Sequence, residues 1–318
     1  MHIASVDDDA VQNGSIDFNN IPPPSRPIIF VHGMSGHANE FDGIMSLMRN
    51  KYGSNSPTMH SIGICEGSCS LHTPLTKQRD DMLEYLTENA ASLGIDGTDE
   101  GFDIVAHSQG ALVMRAVIQR LPPSLKVHTY VSMAGPQRGQ WGQCNNSKTG
   151  IGPRIAEKMA RPVGWIAFYN PVAQRELSFA NYWNDPRHGH LFRRESNLLA
   201  EINGYKVDDE DGASSMAEQK ANFLRVEKAV FLGSSDDDCI NPPLSSVFHF
   251  VDNDGNSIPM ESSVEYSRDT FGLRTMDEEG RLVVRAYSGY DHQEWLRVHD
   301  GNSTKKSLFE LAVLPHFL

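Results

Sequence analysis

The sequence predicts an α/β protein with a doubly wound, mostly parallel sheet, and three observations predict it. Short apolar runs such as 27–31 and 127–134 are typical of strands that are buried on both faces. Segments with apolar residues at helical spacing alternate with these runs, as expected for repeated βαβ units. The run 102–106 leads directly into Ser108 and a helical pattern, which indicates a sharp turn from strand to helix.

The elements can be assigned in chain order. Residues 1–26 are polar and end in three prolines, so they are expected to form a loose leader before a single domain over 27–318. Strands are predicted at 27–31, 59–64, 102–106, 127–134, 227–232 and 282–287. Helices are predicted over 40–52, over a segment that starts with Thr73 as N-cap and Pro74 in the first turn, and from Ser108 to Leu121.

The alternation of strands and helices stops between 136 and about 225. This stretch carries helical and loop signals without a clear strand, and it holds three of the four tryptophans of the chain. An insertion at this point is expected to lie over the serine as a largely helical cap. A packed helical subdomain with its own core is the alternative, and the two interpretations are compatible.

Ser108 lies between the small residues Ala106 and Gly110. A nucleophile elbow needs small residues at these positions because its turn is strained. The turn lifts the serine hydroxyl above the sheet, so Ser108 is the candidate nucleophile of a serine hydrolase with the α/β-hydrolase fold. The alternative is an ordinary serine at a helix N-terminus.

A serine nucleophile requires a base and a carboxylate that orients it, in the chain order Ser, acid, His for this fold. The loop after the strand 227–232 offers Asp236, Asp237 and Asp238. One of the three is expected to accept a hydrogen bond from the imidazole. The other two are interpreted as turn formers in a polar loop.

Four histidines follow that loop, and one of them lies directly after a strand. His292 stands in a glycine-bearing loop behind the strand 282–287, where this fold places its base. His249 lies close to the acid loop, His299 follows a predicted helix, and His316 lies near the C-terminus. His292 is therefore the candidate base.

Two backbone N–H groups are expected to stabilise the oxyanion that forms during acyl transfer. One should come from Gln109, directly after the nucleophile, where the helix N-terminus also favours negative charge. The second should come from Met34, in the loop that follows the first strand.

The composition excludes several classes of partner. Lys and Arg number 28 against 41 Asp and Glu, a net charge of −13, and no basic run occurs, so neither nucleic acid nor an anionic membrane surface is an expected partner. No apolar run reaches the roughly 18 residues that a membrane helix needs. The start of the chain lacks the features of a signal peptide. The Cys and His spacings fit no metal site, and no cofactor or metal is expected.

Cysteine usage leaves the compartment open. Cys65 and Cys69 lie close enough in sequence for a small-loop disulfide, and the other two cysteines have no obvious partners. Three N-x-S/T sequons matter only if the chain enters the secretory pathway: Asn13, Asn145 and Asn302.

Together, these residues resemble the palmitoyl-protein thioesterases of the α/β-hydrolase superfamily. The resemblance runs from about residue 27 to the C-terminus. It rests on Val31–Met34, on Ser108–Gly110 continued by Met114–Arg120, and on four further segments without a candidate catalytic residue: Val131–Gly142, Tyr182–Pro186, Leu199–Asn203 and Tyr266–Gly280.

The resemblance implies which aspartate of the loop is the acid. The family's acid is followed at a fixed spacing by an aliphatic residue and a proline, and Asp237, Ile240 and Pro242 match that spacing. The family's triad and oxyanion pair then correspond to the candidates chosen above: Ser108, Asp237, His292, Met34 and Gln109.

By this resemblance, the chain is expected to hydrolyse long-chain fatty acyl thioesters, such as palmitoyl groups on protein cysteines, through an acyl-enzyme. Its substrates would be S-acylated proteins or peptides and other fatty acyl thioesters, with the acyl chain in an apolar groove beneath the cap. The resemblance implies no cofactor or metal, and it implies a lysosomal or secretory glycoprotein. The sequence departs from the family at Ala106, where the family has glycine, and it lacks the family's cysteine pairs.

Two other functions remain open on the sequence alone. A lipase or carboxylesterase would use the same triad on oxygen esters, because the triad chemistry does not distinguish the two kinds of ester. A catalytically inactive lipid-binding or interaction protein is the second alternative, although every triad position holds the residue type that catalysis needs. The oligomeric state is not predicted.

Overall fold

The computed structural model describes residues 21–97, 99–142, 164–206, 210–299 and 307–317. Its strands are β1 Ile28–Val31, β2 Met59–Ile62, β3 Phe102–His107, β4 Val127–Met133, β5 Lys228–Ser234, β6 Phe250–Val251, β7 Ser257–Ile258 and β8 Leu282–Tyr287. Six of them form a parallel sheet in the order β2-β1-β3-β4-β5-β8, and β6 and β7 form a separate antiparallel pair. The predicted doubly wound parallel sheet is confirmed.

Helices connect the strands and cover both faces of the sheet. The longer helices are Asp42–Tyr52, Leu75–Glu88, Gln109–Ile118 and Glu210–Phe223. The shorter ones are Ser68–His72, Ala90–Leu93, Gly164–Phe168, Pro171–Glu176, Gly189–Glu195, Leu199–Ile202, Val264–Ser267 and Leu273–Glu278. Single 3₁₀ or π turns are Ala38–Phe41, Gly53–Asn55, Ser178–Tyr182, Pro186–His188, Pro243–Val247, Met260–Ser262, Glu294–Leu296, Phe309–Val313 and Leu314–Phe317.

The side chains of the central strands alternate between two hydrophobic cores, because successive residues of a strand point to opposite faces. On β3, Ile104 and Ala106 share a core with Leu112 of the helix that follows the strand. Val105, between them, belongs to the other core together with Ile44. Burial on both faces explains why these strands form continuous apolar runs in the sequence.

The insertion between β4 and β5 packs on helices of the sheet domain. Its described residues form several short helices and the longer helix Glu210–Phe223, and they add no strand to the central sheet. Asn181 Oδ1 accepts a hydrogen bond of 2.7 Å from the backbone N–H of Leu75, and the carbonyl of Ile202 accepts one of 3.0 Å from Gln119. The first bond corrects an expectation: the helix begins at Leu75 without a side-chain cap from Thr73, and Asn181 satisfies its first N–H instead.

The last residues of the predicted leader belong to the folded domain. Ile21 is buried in the core that contains Val105. Arg26 Nε donates at 3.2 Å to the buried carboxylate of Asp103, and Arg26 Nη2 donates at 3.0 Å to the carbonyl of Phe317. The expectation of a loose leader is therefore wrong for residues 21–26. Outside the described residues lie the rest of the leader (1–20), residues 143–163 of the insertion and the three sequons at Asn13, Asn145 and Asn302.

Cys65 and Cys69 form a disulfide, which confirms the small-loop pair expected from their spacing. The bridge joins the turn after β2 to the helix Ser68–His72. Within the ranges that the structure describes, no helix combines the length and the apolar character that a membrane crossing would need.

His316 makes the stability of the fold depend on pH. Its imidazole is 9% exposed, and burial, aided by Lys228 and Arg285, lowers its pKa to about 4. In the unfolded chain the same group binds a proton below about pH 6.5, whereas in the folded protein it stays neutral down to about pH 4. The unfolded state therefore binds more protons in this window, and the free energy of unfolding falls as the pH falls through it.

We expect the substitution His316→Gln to reduce this loss, because glutamine does not titrate. The fall in the free energy of unfolding between about pH 7 and about pH 5 should be smaller than in the wild type by about 2 kcal/mol. Urea unfolding at the two pH values measures the difference, and the exposed His190→Gln is the matched control. An unchanged pH dependence in His316→Gln would contradict the expectation.

Candidate active site

Ser108 occupies a sharp turn between the last residue of β3 and the helix Gln109–Ile118. Its backbone has φ +54° and ψ −126°, a conformation that non-glycine residues rarely adopt. A Cβ at Gly110 would lie 2.2 Å from the carbonyl oxygen of His32, so this position needs glycine. Ala106 is fully buried, and its methyl group fits in the core where the sequence pattern requires a small side chain.

Ser108, His292 and Asp237 form a hydrogen-bonded series. The hydroxyl oxygen of Ser108 lies 2.9 Å from His292 Nε2, and His292 Nδ1 lies 2.8 Å from Asp237 Oδ2. The carboxylate can only accept, so Nδ1 carries the proton and Nε2 is left to accept the serine O–H. His292 is 2% exposed and Asp237 is 6% exposed, so the hydrogen bond between them is shielded from water.

Asp237 is held in place by the loop that contains it. Its second oxygen, Oδ1, accepts hydrogen bonds from the backbone N–H groups of Cys239 at 2.8 Å and Ile240 at 2.7 Å. These bonds fix the carboxylate so that Oδ2 faces His292. The structure thus distinguishes Asp237 from its two neighbours by contacts that their residue type does not reveal.

Asp236 and Asp238 hold the loop that carries the imidazole. Asp236 Oδ2 accepts a hydrogen bond of 2.7 Å from the backbone N–H of Gly289, and Asp238 Oδ1 accepts one of 3.1 Å from the N–H of His292. The backbone bond from Gly289 lowers the pKa of Asp236. Their interpretation as turn formers alone is corrected, because both join the acid loop to the His292 loop.

The other three histidines after the acid loop make different contacts. His299 Nε2 lies 3.2 Å from Glu294, and His249 is half-buried with a pKa that burial lowers. The backbone carbonyl of His316 accepts a hydrogen bond from Lys228, at the start of β5. The helix expected before His299 is only the 3₁₀ turn Glu294–Leu296.

The two candidate oxyanion donors belong to residues close to Ser108. Gln109 is the first residue of its helix, so its backbone N–H has no acceptor within that helix. The Gln109 side chain donates a hydrogen bond of 2.9 Å from Nε2 to the backbone carbonyl of Ser70. Met34 follows Gly33. A Cβ built on Gly33 would lie 2.9 Å from that of Ser108, so the loop after β1 approaches Ser108 closely.

A cavity of about 270 Å³ opens beside Ser108. Besides the serine, its lining residues are Gly33, Met34, Ser35, Glu40, His107, Gln293, Leu296 and Arg297. All of them come from the loop after β1, the end of β3 and the segment after His292. None belongs to the described part of the insertion (136–142, 164–206 and 210–225), so those residues do not line this cavity.

Two charged side chains in this cavity were missed by the sequence analysis. Burial raises the pKa of the Glu40 carboxyl, while the histidines His32 and His37 act against that rise. Arg297 forms an ion pair with Glu294. The only sequence signal for Glu40 was its place at the start of the predicted helix 40–52, where an acidic residue usually faces solvent. In the described ranges, no group of three or more His, Cys, Asp or Glu side chains could hold a metal ion.

Comparisons with known proteins agree with one another. The chain matches the family model for palmitoyl protein thioesterases over residues 27–292. It is 30% identical to the lysosomal thioesterase PPT2 of Bos taurus, over 92% of this chain and 89% of that protein. The lysosomal thioesterase PPT2 homolog of Drosophila melanogaster is also 30% identical, over 92% of this chain and 91% of that protein.

A solved structure that is similar to the chain is that of a monoacylglycerol lipase from Paleococcus ferrophilus. It has a TM-score of 0.45 and 12% sequence identity, and the match covers 93% of this chain and 95% of that one. The family match, by contrast, extends over the nucleophile turn, the acid loop and His292. The chain belongs to the palmitoyl protein thioesterase family.

Proposed function

We propose that this protein is a serine hydrolase that removes long-chain fatty acyl groups, such as palmitoyl, from the thioesters of protein cysteines. The observation that carries the proposal is the hydrogen-bonded series Ser108–His292–Asp237 in a member of this family. The relatives are named as thioesterases, which supports the same bond type for this chain.

In the proposed mechanism, Ser108 is the nucleophile and His292 the general base. His292 Nε2 takes the serine proton as the hydroxyl oxygen attacks the acyl carbonyl carbon. The C–S bond then breaks, and the imidazolium returns the proton to the departing sulfur. A water molecule repeats the sequence on the acyl-enzyme and releases the fatty acid. Asp237 holds the proton on Nδ1 and stabilises the imidazolium.

The backbone N–H groups of Met34 and Gln109 are the proposed donors to the tetrahedral oxyanion. Each such donor contributes roughly 3 kcal/mol to the transition state in comparable sites. A long acyl chain would supply most of the binding free energy, since each buried methylene contributes about 0.8 kcal/mol. The chain-length preference then depends on how many methylenes the protein buries.

We also propose that the protein works in a lysosomal or secretory compartment. The relatives cited above are named as lysosomal. The Cys65–Cys69 disulfide supports this, because disulfides persist in oxidising compartments and are rare in the cytosol.

The bond type can be tested with matched palmitoyl substrates. We expect kcat/KM on a palmitoyl thioester to exceed that on the oxygen ester of the same acyl chain by about tenfold or more, which is about 1.4 kcal/mol in the transition state. A preference for the oxygen ester would instead identify a lipase or carboxylesterase. If a fluorophosphonate probe did not label Ser108 in the folded protein, an inactive binding protein would be the better description.

A further inference from the structure

A second imidazole lies against the proposed base. His107, the last residue of β3, is 2% exposed, and its ring centroid lies 4.8 Å from that of His292 at an interplanar angle of 42°. It directly precedes Ser108, yet it is separated from His292 by 185 positions. The proposed mechanism gives this ring no role.

His107 contacts both loops that surround the nucleophile. Its Nε2 lies 3.1 Å from the backbone carbonyl oxygen of His292. The carbonyl only accepts, so Nε2 must carry the proton. On the other side of the ring, Nδ1 would lie 3.5 Å from a Cβ built on Gly33. The ring therefore packs against the loop after β1 that contains Gly33 and Met34.

The environment keeps this ring neutral. Burial, and then repulsion from His292, lowers the pKa of His107 well below its usual value, although its bond to the His292 carbonyl opposes that shift. The charged form of His32 acts in the same direction as His292. In its neutral form, His107 keeps its hydrogen-bond donor without adding a second positive charge beside His292.

We propose that His107 is a positioning residue that holds the backbone of His292, and with it the imidazole, at the distance from Ser108 that proton transfer needs. The proposal rests on the proposed function of Ser108 and His292. A displacement of about 1 Å in such a geometry costs about a hundredfold in rate. Loss of the His107 donor should therefore lower kcat and leave KM nearly unchanged.

Three substitutions at His107 separate the effect of losing the N–H donor from the effect of losing the aromatic ring. His107→Gln places an amide N–H near the position of Nε2, whereas His107→Asn places it near Nδ1, and His107→Phe keeps the ring without a donor. We expect kcat to fall about 10- to 100-fold in the Phe and Asn variants and only about threefold in the Gln variant. KM should stay within about threefold in all three.

The rate at which a fluorophosphonate labels Ser108 tests the inference without a thioester substrate. Labelling should slow in the Phe and Asn variants more than in the Gln variant, as kcat does. The comparison requires that the thermal unfolding midpoints of the Phe and Asn variants equal that of the Gln variant. Equal losses in the Gln and Asn variants, or unchanged labelling in Asn and Phe, would overturn the proposal. If thioesters were not hydrolysed although the wild type was labelled, the proposed substrate would be wrong and the labelling order would still test His107.

The pH dependence of labelling gives a further readout that loss of packing would not imitate. We expect the rising limb of the labelling rate to keep its midpoint in His107→Gln, since His107 carries no charge. A shift of more than about half a pH unit would show that His107 titrates with His292 and would overturn its role as a neutral donor.

Discussion

Replacing Ser108 with alanine should lower kcat on a palmitoyl thioester by about six orders of magnitude, as loss of a triad serine does in comparable enzymes. The acyl-enzyme cannot form without the hydroxyl, and the remaining N–H donors stabilise only a slow direct attack by water. Single-turnover hydrolysis of a chromogenic palmitoyl thioester measures the fall in rate. The rate of hydrolysis without enzyme is subtracted as background. Fluorophosphonate labelling should disappear at the same time.

The exposed Ser92→Ala provides the control, since Ser92 only donates to the carbonyl of Asn89 on a surface helix. It should keep both hydrolysis and labelling. Thermal unfolding midpoints of the two variants and the wild type show whether Ser108→Ala is folded. A folded Ser108→Ala that still hydrolyses the thioester at more than about a hundredth of the wild-type rate would mean that another group is the nucleophile.

Replacing Asp237 with asparagine should lower kcat by about 10⁴-fold. The backbone N–H groups of Cys239 and Ile240 would keep the amide oxygen in the place of Oδ1. The amide nitrogen would then face His292 Nδ1 and donate to it. That bond places the imidazole proton on Nε2. Nε2 can then no longer accept the proton of Ser108. Steady-state kinetics on the same thioester measure the effect.

The neighbours of Asp237 are the matched controls for this variant. Asp236→Asn and Asp238→Asn each keep an oxygen that can accept the N–H of Gly289 or His292, so kcat should fall by less than about tenfold. A loss of about 10⁴-fold in one of these variants, with a mild effect in Asp237→Asn, would show that the acid was assigned to the wrong residue.

The parts of this molecule that depend on local pattern could be predicted from the sequence. The nucleophile turn was predictable because a buried strand, small residues at 106 and 110 and a helix follow one another without a gap. His292 was predictable because it stands directly after β8. The Cys65–Cys69 disulfide was predictable because only four positions separate its cysteines.

Contacts between distant segments could not be predicted in this way. Asp236, Asp237 and Asp238 are chemically identical, and the approach of the segment 289–292 gives each of them a different partner. Sequence pattern favoured Thr73 as a helix cap, whereas the insertion supplies Asn181 from 106 positions away. The tilted contact between the rings of His107 and His292 likewise depends on how the loop after β8 approaches the end of β3.

The ion pair of Arg26 with Asp103 fixes the position of the residues that precede β1. Through Asp103 and the carbonyl of Phe317, Arg26 fastens residues 21–26 to the segment 307–317, where β3 begins. Ser108 follows the opposite end of that strand. The described residues 21–26 and 307–317 are therefore held at the end of β3 away from Ser108, and none of them lines the cavity beside the serine.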